Sequence, residues 1–307
     1  MRAFTVTPAL HGQRLDKLLA QLIPEFSRNY LRQLIESGAV QLQGSLVTKP
    51  AQAVRAGQAG AIELRATPQS QAFRPEPMPI ETVYRDAHLM VIDKPAGLVV
   101  HPAPGHWSGT LLNGLLAADA QAAALPRAGI VHRLDRDTSG LMVVARTRSA
   151  MDALVARIAA RQVTRQYVAL AHRAWQGALV RQVDAPIGRD PRQRLRMAVV
   201  DLQRHPGKPA RTHIELIEGN EDVCLVRCTL ETGRTHQIRV HMASIGHPLI
   251  GDTLYGGNSG PGGLARQALH AYRLAFVHPV SGEPLQFHCA LPADLRRVIQ
   301  AQGLNYN

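Results

Sequence analysis

A proline-rich segment, residues 66–80, divides the chain into a short and a long part. Its sequence, ATPQSQAFRPEPMPI, carries four prolines and no periodic apolar pattern, which is typical of a linker. The chain has 307 residues, enough for two domains that each bury a core of their own. Residues 1–65 and 81–307 are therefore predicted to fold as separate domains.

The short part carries the pattern of a helical hairpin. In residues 14–23 the apolar side chains recur at the spacing of one helix face, and Pro24 ends the run. Ser27 is the predicted N-cap of a second helix, and Gly38 is its predicted C-terminal stop. Short β-like pieces follow, so residues 1–65 are predicted to form a small α/β module.

The long part is dominated by short apolar runs between glycines and prolines, which predicts strands. These runs are LMVID, GLVV, GLMVVA, QYVALA, EDVCLVRCTL and QIRVHM. Helical stretches are fewer, and the clearest covers residues 148–160. The pattern predicts an α+β domain with a mixed, largely antiparallel β-sheet.

The charge balance indicates a polyanionic partner. Lys and Arg number 35 against 23 Asp and Glu, a formal net charge of +12. Nearly all of the positive charge is arginine, whose guanidinium suits bidentate phosphate contacts and stacking on bases. An arginine-rich but otherwise ordinary basic surface is the alternative that charge alone leaves open.

Cysteine content and hydropathy bound the cellular setting. The three cysteines are too few and too awkwardly spaced for a disulfide framework or a Cys-rich zinc site. No apolar run of membrane-spanning length and no signal-peptide pattern occurs, so a cytoplasmic protein is expected, with a monomer as the default.

The most informative stretch is residues 129–146, GIVHRLDRDTSGLMVVAR, in which a polar loop separates two apolar runs. The loop presents a carboxylate, Asp135 or Asp137, flanked by His132, Arg133 and Arg136. Neighbouring positive charge keeps an aspartate ionised and ready to act as a nucleophile. A surface loop held by salt bridges would have the same composition, so composition leaves both interpretations open.

The string H-R-L-D-x-x-T-S-G within this loop resembles the catalytic motif of the RluA family of pseudouridine synthases. The resemblance implies the pseudouridine synthase fold, with Asp135 as the catalytic aspartate. It also implies that Arg133 enters the RNA stack where the target uridine has flipped out, and that His132 contacts the RNA. Asp135 would attack the sugar carbon or the base, or assist removal of a ribose proton, and the sequence does not choose among these.

Two further segments resemble the motifs of the same family. In residues 230–257, Arg239 aligns with the arginine that pairs with the catalytic aspartate, while Arg234 is a competing candidate and a possible phosphate ligand. In residues 161–171, Tyr167 aligns with a tyrosine that stacks under the flipped base and is proposed to remove a proton. A tyrosine in an apolar strand is otherwise more often a core residue.

Histidines raise the question of a metal site. His236 and His241 lie in the second motif, but no third ligand stands at a recognisable metal spacing, so no metal is expected and hydrogen bonding or RNA contact is favoured. The chain also lacks G-x-S-x-G and a complete P-loop, and no cofactor is implied.

The short part resembles an S4 RNA-binding domain in RLDKLL and SRNYLRQLIESGAVQLQG. Arg28 and Arg32 fall four residues apart on one helix face, and Arg14 and Lys17 extend the predicted patch toward phosphates. A solvated helix face is the alternative interpretation.

Residues 91–116 and the C-terminal segment from Arg266 also follow the family pattern, and GLVVHP with GTLLNGLL is similar to the RluD branch rather than the RluC branch. The resemblance implies conversion of specific uridines to pseudouridine in 23S rRNA, free or in an assembling large ribosomal subunit. Rival interpretations are an RluC-like target site, a non-catalytic RNA-binding or ribosome-assembly protein, and an RNA glycosidase that releases free uracil.

Overall fold

A computed structural model describes residues 1–67, 69–193, 195–260 and 262–306. The chain divides into two compact units, residues 1–74 and 75–307. No helix in the described ranges has the length and apolar character needed to cross a membrane.

The first unit packs two helices and a small antiparallel sheet around one core. The helices are α1 (Leu15–Leu22) and α2 (Arg28–Glu36). The strands are β1 (Arg2–Thr5), β2 (Val40–Leu42), β3 (Ser45–Val47) and β4 (Ala59–Ile62), in the order β1-β4-β2-β3. The predicted hairpin is confirmed in both helices, and the Ser27 hydroxyl accepts a hydrogen bond from the Tyr30 backbone N–H at 3.2 Å, as an N-cap should.

The second unit is built on one large sheet. Its strands are β5 (Glu81–Arg85), β6 (Leu89–Lys94), β7 (Ser139–Ala145), β8 (Thr164–His172), β9 (Val180–Asp184), β13 (Arg211–Gly219), β14 (Val223–Leu230), β15 (Leu269–Val277) and β16 (Pro284–His288). They lie in the order β5-β6-β7-β15-β8-β14-β13-β9, and β16 pairs with β15. A small sheet holds β10 (Ile187–Arg189), β11 (Met197–Val199) and β12 (Gly207–Lys208). Within the large sheet β7 and β15 run parallel and the other described pairs are antiparallel, which confirms the predicted mixed, largely antiparallel α+β fold.

In the described part of this unit, four α-helices accompany the sheet: α3 (Leu111–Ala118), α4 (Arg148–Ala159), α5 (Gln237–Ser244) and α6 (Ala293–Ala301). The helix predicted over residues 148–160 is confirmed as α4. Two strand predictions are wrong. QIRVHM forms most of α5, and GLVV, residues 97–100, forms turns and bends.

The reason for the α5 error is that this helix is buried on all sides. Polar Gln237, Arg239 and His241 are as buried as the apolar residues between them. An alternation of polar and apolar residues normally indicates a strand with one wet face. Here both sets are buried because the polar side chains have partners inside the protein, so the alternation carries no information about faces.

The polar loop of the H-R-L-D motif ends where β7 meets β15 in the parallel pairing. Gly140 has φ +116°, and a Cβ on it would lie 2.3 Å from the Ala271 carbonyl oxygen, so the two strands approach closely only at a glycine. Next to it, Ser139 Oγ bonds to His270 Nδ1 at 2.9 Å. The end of the motif thus anchors the loop to the central strand.

Candidate active site

A cavity in the second unit lies where the 132–138 loop, β8 and α5 meet. Its walls include Asp135, Tyr167, Arg239, Arg133, Arg234 and Arg165. The structure therefore brings together the three residues predicted to be catalytic, although they lie in three separate segments of the sequence.

At the centre of the cavity Arg239 lies between two carboxylates. Its Nη1 donates to Asp135 Oδ2 at 3.2 Å, while Nε and Nη2 donate to the two oxygens of Asp252 at 2.7 and 2.8 Å. The Asp252 side chain is 1% exposed and that of Asp135 is 16% exposed. The bidentate pair with Asp252 fixes the guanidinium, and its remaining edge holds the more accessible Asp135 toward the cavity.

Electrostatics and packing keep this arginine charged and in place. Burial opposes its charge, but the carboxylates of Asp252 and Asp135 raise the pKa of Arg239 above its ordinary value. The guanidinium carbon also lies 5.0 Å from the centroid of the Tyr255 ring. Arg239 is therefore a fixed cation beside Asp135.

His236 precedes α5 and faces the same carboxylate. Its φ of +57° is left-handed, a conformation that is uncommon outside glycine and asparagine. Its Nδ1 hydrogen-bonds the Tyr255 hydroxyl at 2.8 Å, and its Nε2 lies 3.9 Å from Asp135 Oδ1. Desolvation lowers the pKa of His236, although Asp135 raises it in part, so the imidazole is neutral at neutral pH.

Gln237 fixes the start of α5 beneath this histidine. Its amide oxygen accepts hydrogen bonds from the Thr232 hydroxyl and the Arg234 backbone N–H. Its amide nitrogen donates to the Arg211 carbonyl and to Thr212 Oγ1. A buried side chain with four partners leaves the helix, and therefore Arg239, little freedom to shift.

Tyr167 projects from β8 into the cavity and is 5% exposed. Burial and the nearby Asp135 raise the pKa of Tyr167 to about 12, against a smaller opposing effect of Arg165. The phenol is thus protonated at neutral pH, and its ring offers a flat apolar surface on which a base can stack.

Lys94 anchors the 132–138 loop through hydrogen bonds to backbone carbonyl groups. It is 1% exposed, and its ammonium donates to the carbonyl oxygens of Pro95, Leu98 and Arg136 at 2.7 to 2.9 Å. Burial lowers its pKa to about 7, while Asp137 and Asp135 raise it in part. The bond to Arg136 ties the residue after Asp135 to the end of β6.

We expect Lys94→Met to destabilise the protein by at least about 2 kcal/mol, because three buried carbonyl groups lose their donor. Urea denaturation checks this result. Lys208→Met, which removes an exposed ammonium on β12, is the matched control and should leave the unfolding midpoint unchanged. Equal unfolding midpoints for the two variants would mean that the hydrogen bonds of Lys94 do not stabilise the fold.

The predicted RNA-contacting residues of this unit differ in their surroundings. Arg133 is exposed at the cavity rim. Arg234 also lines the cavity, and its Nε donates to the Pro209 carbonyl at 3.1 Å. His132 instead accepts a hydrogen bond from the Val143 backbone N–H at 3.1 Å, and desolvation lowers its pKa to about 3, so it is a neutral structural contact. His241 is likewise engaged inside the protein, with Thr212 and the Ala185 carbonyl.

Comparisons with known proteins identify the family of this chain. Residues 88–244, more than half of the chain, match the family model described as RNA pseudouridylate synthase, and residues 13–59 match the S4 domain. A protein of Xanthomonas campestris pv. campestris named ribosomal large subunit pseudouridine synthase D is 47% identical, over 98% of this chain and 92% of its own length. The chain belongs to the RNA pseudouridylate synthase family.

Two other relatives support the same assignment. A synthase D of Neisseria meningitidis serogroup A is 46% identical over 98% of this chain and 81% of its own length. The structure of human RNA pseudouridylate synthase domain containing 1 superimposes with a TM-score of 0.55 at 26% identity, over 75% of this chain and 87% of that one. The predictions of the family, the enzyme class and the S4 domain are confirmed.

The S4 domain of this synthase fixes two of its arginines on one buried carboxylate. Asp16, with 3% of its side chain exposed, accepts bonds from Arg14 at 3.0 and 3.1 Å and from Arg28 at 2.8 and 3.1 Å. Both guanidinium groups are about half exposed. Lys17 is exposed nearby in sequence, whereas Arg32 pairs with Glu36 at 3.0 Å.

Sequence reasoning missed three members of the synthase site. Asp252 and Tyr255 lie inside the 230–257 segment, but their link to Arg239 depends on how the chain folds back after α5. Arg165 had a usable signal, because it stands two residues before Tyr167 in a strand and therefore points to the same face.

Proposed function

We propose that this protein converts uridine to pseudouridine in RNA of the large ribosomal subunit. The observation that carries the proposal is the Asp135 carboxylate, which Arg239 holds in the wall of a cavity that Tyr167 also lines. The printed names of the curated relatives, ribosomal large subunit pseudouridine synthase D, support the substrate class. The same names favour the RluD branch over an RluC-like target.

The reaction is an isomerisation, so nothing is consumed or released. The bond between N1 of the base and C1′ of the ribose breaks, the base rotates, and C5 joins C1′; a proton leaves C5 and N1 regains one. In the proposal Asp135 attacks or removes a proton, and Arg239 orients it. Tyr167 stacks on the base, and the neutral His236 is positioned within 3.9 Å of Asp135 to relay a proton.

Access to the uridine requires base flipping. A base stacked in RNA reaches a buried cavity only when its nucleotide is extruded, at a cost of a few kcal/mol. We propose that the exposed Arg133 fills the gap left in the stack and that Arg234 contacts the backbone at the rim. In the S4 domain, Arg14, Lys17 and Arg28 bind phosphates, and Arg32 does so only by giving up its pair with Glu36.

Mapping of pseudouridine in 23S rRNA tests the proposal. Carbodiimide and alkali treatment of rRNA makes primer extension stop at pseudouridine. We expect specific stops to disappear in cells lacking this protein and to return with the wild-type chain but not with Asp135→Asn. Persistence of every 23S stop without the protein would contradict the assignment of the large-subunit substrate, and return of the stops with Asp135→Asn would contradict a catalytic role for Asp135.

A further inference from the structure

Arg165 is a buried cation that has no counterion among the described residues. It lies on β8, two residues before Tyr167, and is 6% exposed. Its Nε is buried with no hydrogen-bond partner, and no carboxylate among the described residues forms an ion pair with it. Arg239, which lines the same cavity, has two carboxylates.

The fold leaves room for this guanidinium. A Cβ on Gly233 would lie 2.8 Å from Arg165 Nη1, so the loop after β14 passes close to the guanidinium, and a side chain there would displace it. Both residues line the cavity that contains Asp135. Arg165 is therefore directed into the cavity rather than toward solvent.

Such a cation is unfavourable in the free protein. Moving a charge out of water without a partner is costly, and buried charges in proteins are normally paired. Burial lowers the pKa of Arg165 from its ordinary value, which reports the same penalty. A group in the bound substrate is the natural partner.

The depth of Arg165 favours the base over the phosphate as that partner. In a flipped nucleotide the base enters the cavity and the phosphates stay with the RNA chain outside. The arginines that suit phosphates, Arg133 and Arg234, are more exposed and lie at the rim. Arg165 shares a strand face with Tyr167, on whose ring the base is proposed to stack. The Arg165 guanidinium is therefore placed to reach the edge of a base bound there.

We propose that Arg165 binds a carbonyl oxygen of the flipped uracil and stabilises the negative charge that the ring gains during the reaction. This inference rests on the proposed function. When the N1–C1′ bond breaks toward the base, its electron pair passes to N1 and is delocalised onto both carbonyl oxygens. A fixed cation placed there before the reaction binds the detached ring more strongly than the intact uridine, which is the requirement for catalysis.

The test compares Arg165→Met and Arg165→Lys with the control Arg297→Met, which removes an exposed positive charge from α6. Three quantities are measured on the full-length protein with a 23S rRNA fragment that the wild type modifies. They are the single-turnover rate at saturating RNA, the dissociation constant as a function of salt, and the melting temperature without RNA.

We expect Arg165→Met to lower the single-turnover rate by about 10²- to 10³-fold, as removal of a charge-stabilising donor does elsewhere. Its RNA affinity and salt slope should match those of Arg297→Met, and its melting temperature should rise, since the buried charge is gone. Arg165→Lys, which keeps the charge but loses the fork, should recover part of the rate.

Two outcomes would overturn the inference while leaving the proposed function intact. One is a normal saturated rate with weaker binding and a salt slope reduced by about 0.7 to 0.9, the signature of a phosphate contact. The other is a lowered melting temperature in both Arg165 variants with equal rate losses, which would assign the arginine to the fold. A wild-type protein that formed no pseudouridine on any 23S fragment would overturn the proposed function and this inference together.

Discussion

We expect Asp135→Asn to lower the single-turnover rate of pseudouridine formation by at least about 10⁴-fold, which is the size of effect that loss of a nucleophile has. Each of the three roles open to Asp135 requires a carboxylate, because an amide neither attacks carbon nor takes up a proton. Release of tritium from RNA labelled at C5 of uracil measures the rate, since that hydrogen leaves during the isomerisation.

The fold and the RNA affinity should survive this substitution. Arg239 keeps its bidentate pair with Asp252. The side-chain oxygen of the new asparagine can still accept the hydrogen bond that Arg239 Nη1 donates to Asp135. We therefore expect a change in unfolding free energy of less than about 1 kcal/mol and an RNA dissociation constant within about twofold of the wild type.

Asp137→Asn is the matched control because it removes a carboxylate from the same loop. The Asp137 side chain pairs with exposed Arg136 rather than with Arg239. The Asp137→Asn variant should form pseudouridine at a rate within about tenfold of that of the wild type. If Asp137→Asn were the inactive variant and Asp135→Asn the active one, the assignment of the catalytic aspartate would be wrong.

This control addresses the choice that loop composition left open. The two aspartates lie two residues apart between similar charged neighbours, and spacing alone does not distinguish them. The family motif pointed to Asp135, and in the structure only that one of the two contacts Arg239. The distinction depends on a residue 104 positions away in the chain, so it is a property of the fold.

Local rules predicted the elements whose two faces differ. Helices α1 and α2 have one buried and one exposed face, and the apolar period located both within a residue or two. The same rules did not identify α3 or α5. The prolines and glycines of residues 91–116 favour turns, but Thr110 with Asn113 forms a capping box that starts α3.

Local sequence rules also do not predict the pairing of Arg239 with Asp252. Asp252 follows Arg239 by 13 residues, and nothing in that spacing indicates a pair, because α5 ends between them and the chain turns back. The family motif predicted the Arg239 contact with Asp135 but assigned no part to Asp252. A buried arginine between two carboxylates is recognised only when all three side chains are located in space.

That arrangement leads to the second large effect, the loss of Arg239. In Arg239→Met, Asp135 and Asp252 lose the cation that lies between them, and Asp252 is almost fully buried. Breaking a buried ion pair by removing one partner typically costs about 3 to 5 kcal/mol, and we expect a loss of unfolding free energy of that size, together with loss of activity.

Urea denaturation of Arg239→Met beside the wild type measures this loss. Only 1% of the Asp252 side chain is exposed, so the substitution leaves a buried carboxylate without its cation. An unfolding free energy equal to that of the wild type would contradict the role of Arg239 in stability.

Arg239→Met combined with Asp252→Asn separates stability from catalysis. The second substitution removes the most deeply buried carboxylate, so most of the lost stability should be regained. Activity should not return, because Asp135 still lacks the cation that orients it. A fully active double variant would mean that Asp135 needs no arginine, and an equally unstable one would mean that Asp252 is not the group that Arg239 neutralises.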